Sequence, residues 1–172
     1  MCGFVGYVND TPDKSVNEKI IKDMADRIRH RGPDQDDYYV DSSVSLGFRR
    51  LSIIDLDGGS QPILNEDGTK VLVFNGEIYN YQPIREELIK KGHVFRTKTD
   101  SEVLLHGYEE YGCELLNKLR GMFAFVIWDS TEKKLFGARD IFGIKPFFYY
   151  LKNGNFLFGS EIKSFLSNPL FE

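Results

Sequence analysis

Cysteine is scarce in this chain: Cys2 and Cys113 are the only two among 172 residues. Two isolated thiols give no disulfide framework, and the usage fits a reducing cytoplasm. Basic charge is short as well. Lys and Arg number 22 against 26 Asp and Glu, a net charge of −4, so the basic patch that a nucleic-acid surface needs is missing. Long apolar runs are lacking too. The run Met122 to Trp128 is only about a third of a membrane span, and Asn9, Asp10 and Asp13 interrupt the start before a secretory apolar region could form. Histidine is rare. The spacing of His30, His93 and His106 relative to the two cysteines matches no metal-ligand pattern, so no metal is expected. With 41% hydrophobic, 28% charged and 14% aromatic residues, what remains describes one soluble, cytoplasmic, globular domain over residues 1–172.

The element pattern points to an α+β fold. Ser15 and Glu18 read as a capping box, and Val16, Ile20, Met24 and Ile28 as the apolar stripe of a helix that ends near His30 or Arg31, where Gly32-Pro33 cannot continue it. Strands are expected at Asp37 to Val40 and Val44 to Arg50, then an irregular loop with Asp57-Gly58-Gly59 and Gln61-Pro62. A hairpin turn at Glu66-Asp67-Gly68-Thr69 leads into a strand from Lys70 to Phe74. A second helix spans Gln82 to Lys91, with Pro83 in its first turn and Gly92 closing it. A third starts at Thr99, where Thr99 and Glu102 repeat the capping-box pattern, and stops near Gly112. Strands follow at Phe123 to Trp128, Lys134 to Ala138, Pro146 to Leu151 and Phe156 to Phe158, and a short helix from Ser160 to Ser167. Strands, then helices, then strands again suit a layered α+β sandwich rather than βαβ units.

The chemistry begins at the second residue. Removal of Met1 would leave Cys2 as the N-terminus, with a thiol nucleophile and an α-amine able to act as its base. Four other segments hold residues for which a packed core has little use: Arg49-Arg50, Asn75-Gly76-Glu77, Asp100 at a helix start, and the polar corner His30-Arg31-Gly32-Pro33-Asp34. Each has a structural explanation. Paired arginines are usually solvated strand ends, Asn-Gly is usually a turn, and an acid at a helix start usually answers the helix dipole. Together with Cys2, however, they form a set. The Asn75 amide beside the Gly76 N–H gives two convergent donors for an oxyanion. Arg50 offers a fork for a carboxylate and Asp100 an anion for an ammonium. An α-amino acid with an acyl group open to thiol attack fits that set, and glutamine is such a molecule.

At these residues the chain resembles the N-terminal glutaminase domain of glutamine-dependent asparagine synthetase. The motifs are Met1-Cys2-Gly3, His30-Arg31-Gly32-Pro33-Asp34, Arg50-Leu51-Ser52-Ile53-Ile54-Asp55, Asn75-Gly76-Glu77-Ile78-Tyr79-Asn80 and Arg120-Gly121-Met122-Phe123-Ala124-Phe125. Arg139-Asp140, Gly143-Ile144-Lys145-Pro146 and Ser160-Glu161-Ile162-Lys163 continue the likeness almost to the end. The resemblance implies a four-layer αββα sandwich of the N-terminal-nucleophile hydrolase type. It implies Cys2 as nucleophile, Asn75 and Gly76 as the oxyanion pair, Arg50 and Asp100 on the glutamine carboxylate and ammonium, and Leu51, Ser52, Ile53, Ile54 and Glu77 as further glutamine-binding positions.

The resemblance further implies glutamine hydrolysis without a cofactor in this part. ATP and Mg²⁺ are expected for the full-length enzyme, whose C-terminal synthetase domain, absent here, would be the partner that amidates aspartate. Self-association into a homodimer is left open. The rival readings are the same glutaminase serving another acceptor, such as a sugar or an antibiotic or cell-wall precursor, and a non-catalytic amino-acid-binding domain of this fold. His30 and Arg31 are left without a chemical step.

Overall fold

The computed structural model describes residues 2–51 and 60–172. Ser52, Ile53 and Ile54, expected to bind glutamine, lie outside the described residues, as does Met1. The chain divides into two compact units, Met1–Ile54 with Pro146–Glu172 and, inserted between those segments, Asp55–Lys145.

The first unit is built on a five-stranded antiparallel sheet of order β2-β3-β1-β9-β8. The strands are β1 (Gly3–Val8), β2 (Gln35–Val40), β3 (Val44–Arg50), β8 (Phe148–Lys152) and β9 (Asn155–Gly159). One face is covered by α1 (Lys14–Asp26) and by a 3₁₀ helix at Ile162–Ser167 that replaces the expected α-helix. Asp13 caps α1, accepting from the Ser15 and Val16 amides at 3.0 and 3.4 Å. The capping box read at Ser15 and Glu18 is therefore displaced by two residues, and the Ser15 hydroxyl itself donates to Asp13 at 2.7 Å. The stripe shifts with it. Ile21, Met24, Ala25 and Ile28 pack on Val5, Tyr7 and Leu157, whereas Val16 is exposed. The α-helix stops at Asp26, and a 3₁₀ turn at Arg29–Arg31 follows.

In the second unit the strands β4 (Ile63–Leu64), β5 (Lys70–Ile78), β6 (Gly121–Asp129) and β7 (Lys134–Arg139) lie in that order, all antiparallel. The helices are α2 (Tyr81–Lys90), α3 (Ser101–Tyr111) and the short α4 (Leu115–Lys118). Leu72, Phe74 and Ile78 of β5 and Phe123, Phe125 and Ile127 of β6 form a core with Ile84, Leu88, Val103 and Leu104. Val73, Ala124 and Val126 on the other face are buried as well, so these strands read as unbroken apolar runs. The strand expected to end at Phe74 continues to Ile78, and Asn75-Gly76 is thus part of a strand and not a turn. Gly76 stands opposite Phe123, where a Cβ would overlap the Met122 carbonyl oxygen, so only glycine fits. The capping box at Thr99 and Glu102 is also corrected. Asp100 precedes the first helical residue, and Glu102 instead accepts from the Arg96 and Thr97 amides, both at 2.8 Å.

The corrected phase of α1 is testable. Ile21→Ala empties a fully buried site and is expected to cost about 2–5 kcal/mol, whereas Val16→Ala costs about 0.5 kcal/mol or less. Urea midpoints measure both, and equal losses would contradict the packing described.

Candidate functional site

In the first unit Cys2 is held through its carbonyl and its sulfur. The Arg31 Nε donates to the Cys2 carbonyl at 3.1 Å, and the Leu51 amide approaches the sulfur at 3.5 Å. The thiol in turn faces the Leu51 carbonyl at 3.8 Å. Arg31 is itself oriented by Glu161, 3.1 Å from its Nη1. Glu161 also takes His30 Nε2 at 2.9 Å and Lys163 Nζ at 3.2 Å. Burial pushes the Glu161 carboxyl up, but hydrogen bonds from Arg31, Lys163 and His30 outweigh it and hold the group below the usual carboxylate range. A neighbouring pair of bonds pins the strand that follows Cys2: Phe4 N to Ser160 Oγ at 3.0 Å and Ser160 N to Phe4 O at 2.9 Å. The polar corner that carried no chemical step in the sequence therefore positions Cys2. Its partner Glu161 comes from the far end of the chain, so no local spacing could have revealed it.

The two arginines of β3 part company. Arg49 is buried and pairs with Asp26 and, at 3.3 Å, with Asp36, which makes it a structural cation under α1. Arg50 is half-buried, with its Nη1 3.4 Å from Gln35 Oε1. Alternation along a strand sends consecutive side chains to opposite faces, so Arg50 leaves the side occupied by α1.

The second unit holds Asn75, Gly76, Glu77 and Asp100. Tyr79 N bonds to Arg120 O at 2.7 Å, which fixes the phase of the β5–β6 ladder: odd-numbered amides of β5 face β6 and even-numbered ones face away. On that outward edge, beyond the two residues of β4, side chains take the place of a strand. Gln61 accepts from Phe74 N at 2.6 Å and returns a bond to Phe74 O at 3.0 Å. Asp100 accepts from Ile78 N at 2.7 Å. The Gly76 amide lies between these two and faces the same edge. Beside it, Asn75 is only 3% exposed, and among the described residues its Nδ2 has no hydrogen-bond partner. Glu77 is exposed. Burial pushes the Asp100 carboxyl up, opposed by the Ile78 amide and reinforced by the Glu77 charge. Cys2 and Arg50 thus belong to the first unit, and Asn75, Gly76 and Asp100 to the second.

This α+β arrangement is also found in solved amidotransferases. The glutamine phosphoribosylpyrophosphate amidotransferase of B. subtilis superposes with a TM-score of 0.76 at 20% identity, over 96% of this chain and 43% of that one. A second solved structure, an allosteric regulatory enzyme of purine biosynthesis, gives 0.74 at 21% identity, with the same coverage of 96% and 43%. The chain belongs to the glutamine amidotransferase domain family, whose model matches residues 1–172. Among curated proteins it is 52% identical over 168 residues to asparagine synthetase [glutamine-hydrolyzing] 1 of Bacillus subtilis, covering 96% of this chain and 27% of that protein. It is 40% identical over 166 residues to a probable asparagine synthetase of Dictyostelium discoideum, covering 95% and 30%. The chain therefore spans little more than a quarter of the length of such relatives. The expected fold and family agree with these findings.

The raised Asp100 pKa has a thermodynamic consequence. The folded state binds the proton more tightly than the unfolded chain, so stability falls as pH rises from the unfolded value of about 3.9 through the folded one. Asp100→Asn keeps an acceptor for Ile78 N and removes the buried charge. The variant is expected to match the wild type in urea at pH 3.5 and to exceed it at pH 7. A deficit that grows toward pH 7 would contradict the assignment.

Proposed function

We propose that this chain hydrolyses glutamine to glutamate and ammonia through a γ-glutamyl thioester on Cys2. The observation that carries the reading is Asn75 Nδ2, a buried donor without a partner among the described residues, next to the outward-facing Gly76 amide. Leaving such a donor unsatisfied costs about 1–3 kcal/mol, a cost that folding alone gives no reason to keep. An anionic oxygen formed only during reaction would satisfy it.

The α-amine of Cys2, freed by removal of Met1, takes the thiol proton, directly or through a water. The sulfur attacks the side-chain amide carbon, and the carbonyl oxygen becomes an oxyanion held by Asn75 Nδ2 and Gly76 N–H. Collapse expels the nitrogen as ammonia once it is protonated, and water cleaves the thioester by the same donors. Arg31, carried by Glu161, holds the Cys2 carbonyl and hence the aim of its sulfur. Arg50 binds the substrate α-carboxylate and ionised Asp100 its ammonium, a cation that brings the Asp100 pKa back down. Leu51 contributes backbone groups beside the sulfur, and Glu77 adds negative charge near the ammonium.

Hydrolysis needs no cofactor by this route. In a longer protein of the kind its relatives represent, ammonia would pass to a synthetase portion that uses ATP and Mg²⁺ to amidate aspartate. A cytoplasmic setting would keep Cys2 reduced. The described residues contain no helix long and apolar enough to cross a membrane.

Intact-protein mass spectrometry with a diazoketone analogue of glutamine tests the proposal. One adduct is expected on chains lacking Met1, and none on Cys2→Ala or on chains that retain Met1. Asn75→Ala is expected to lower kcat for glutamate release by roughly 10²–10³-fold while leaving the fold intact. An adduct on Cys113, or processed Cys2 left unlabelled while the chain is folded, would overturn it.

A further inference from the structure

His93 and His106 stand 13 positions apart in sequence, a separation with no metal-ligand signature, yet the fold brings them together with Glu109. Among the described residues these three form the cluster able to offer a metal one ligand atom each, all within 4.8 Å of one another. His106 and Glu109 share one face of α3 at the i, i+3 spacing. His93 is delivered by the turn after α2, where Gly92 takes a φ of +102° and the His93 amide bonds back to Leu88 O at 3.1 Å.

We propose that His93, His106 and Glu109 form a binding site for a divalent transition-metal ion, with Zn²⁺ the best fit, that ties the end of α2 to α3. The distances suit it. Glu109 Oε2 lies 2.9 Å from His106 Nδ1 and 3.6 Å from His93 Nδ1. Neighbouring ligands around a tetrahedral zinc are about 3.3 Å apart, given bonds of about 2.0–2.1 Å. The two imidazole rings face each other at 5.2 Å with a 48° tilt.

The outer partners carry the argument further. Metal-bound histidines donate their second nitrogen to a carboxylate, and metal-bound carboxylates have their second oxygen fixed. Each ligand here has such a group. His93 Nε2 faces Glu110 Oε2 at 3.3 Å. The second oxygen of Glu109 accepts from Asn65 Nδ2 at 2.7 Å. His106 Nε2 points toward Glu66 and Glu102 at 3.5 and 3.6 Å. It is fully buried and makes no hydrogen bond among the described residues. A metal at Nδ1 would hold the proton on Nε2 and draw it to those acids.

The His106 side chain is 1% exposed, and those of His93 and Glu109 are each 18% exposed, so one side stays open to a water ligand. Two imidazoles and one carboxylate select a zinc-like ion over Ca²⁺ or Mg²⁺, which prefer all-oxygen cages.

The test uses untagged chain carrying Cys2→Ser and Cys113→Ser, so that sulfur cannot contribute. Calorimetric titration with Zn²⁺ at pH 7.5 is expected to give one ion per chain, and Co²⁺ to give visible bands of tetrahedral intensity. His93→Ala, a change at a half-buried turn, is expected to weaken Zn²⁺ binding at least tenfold and to abolish the Zn²⁺-dependent rise in Tm. Glu109→Gln should also weaken it, and Ca²⁺ should do nothing. No binding up to 1 mM, or binding that both substitutions leave unchanged, would overturn the site.

Discussion

Every second amide of β5 points away from β6, and buried amides must find acceptors. Most of what distinguishes the second unit follows from how that edge is closed. β4 covers only its first part. Beyond it, Gln61 and Asp100 reach in from loop and helix start to take Phe74 N and Ile78 N. Between those two side chains the Gly76 amide faces the same edge, beside Asn75, whose Nδ2 has no hydrogen-bond partner among the described residues. The strand is held there by the β5–β6 ladder, which the absence of a Cβ at Gly76 permits.

The first unit solves a different problem, that of holding a terminal residue still. Chain ends are ordered only when something ties them down. Cys2 is tied by Arg31 and Leu51, Arg31 by Glu161, and the next strand residue by Ser160. Arg49 carries none of this. Its charge is spent on Asp26 and Asp36, while Arg50 lies on the other face of β3.

Strand β3 and the turn at Gly68 were legible from alternation and turn chemistry. The choice of Cys2, Asn75-Gly76 and Asp100 as candidates rested on their being costly choices for a core. Phase and extent were less legible. Asp13 outcompetes Ser15 as a cap because its carboxylate takes two amides and the serine hydroxyl as well. Packing on β1 buries the face of α1 that carries Ile21, Met24 and Ala25 and leaves Val16 exposed. The extension of β5 through Asn75-Gly76 depends on pairing with residues 121–124, a tertiary effect that overrides a dipeptide favouring turns. Arg31–Glu161 and His93–His106–Glu109 are products of folding alone. Leu51, expected as a glutamine-binding position, lies beside the Cys2 sulfur, while its neighbours 52–54 fall outside the described residues.

The first unit is assembled from chain segments on either side of the second, and this sets an order of events during synthesis on the ribosome. β1 emerges first, but its neighbour β9 lies about 150 residues later, and the Glu161 that orients Arg31 later still. Such distant pairing makes for slow closure, and domains emerge from their N-termini onward. The second unit, contiguous in sequence, can complete its sheet while the first awaits its last strands. Cys2 would then remain exposed and unaimed until the residues around Glu161 have been made. Order of synthesis thus leaves Cys2 accessible until the last strands of its own unit are in place.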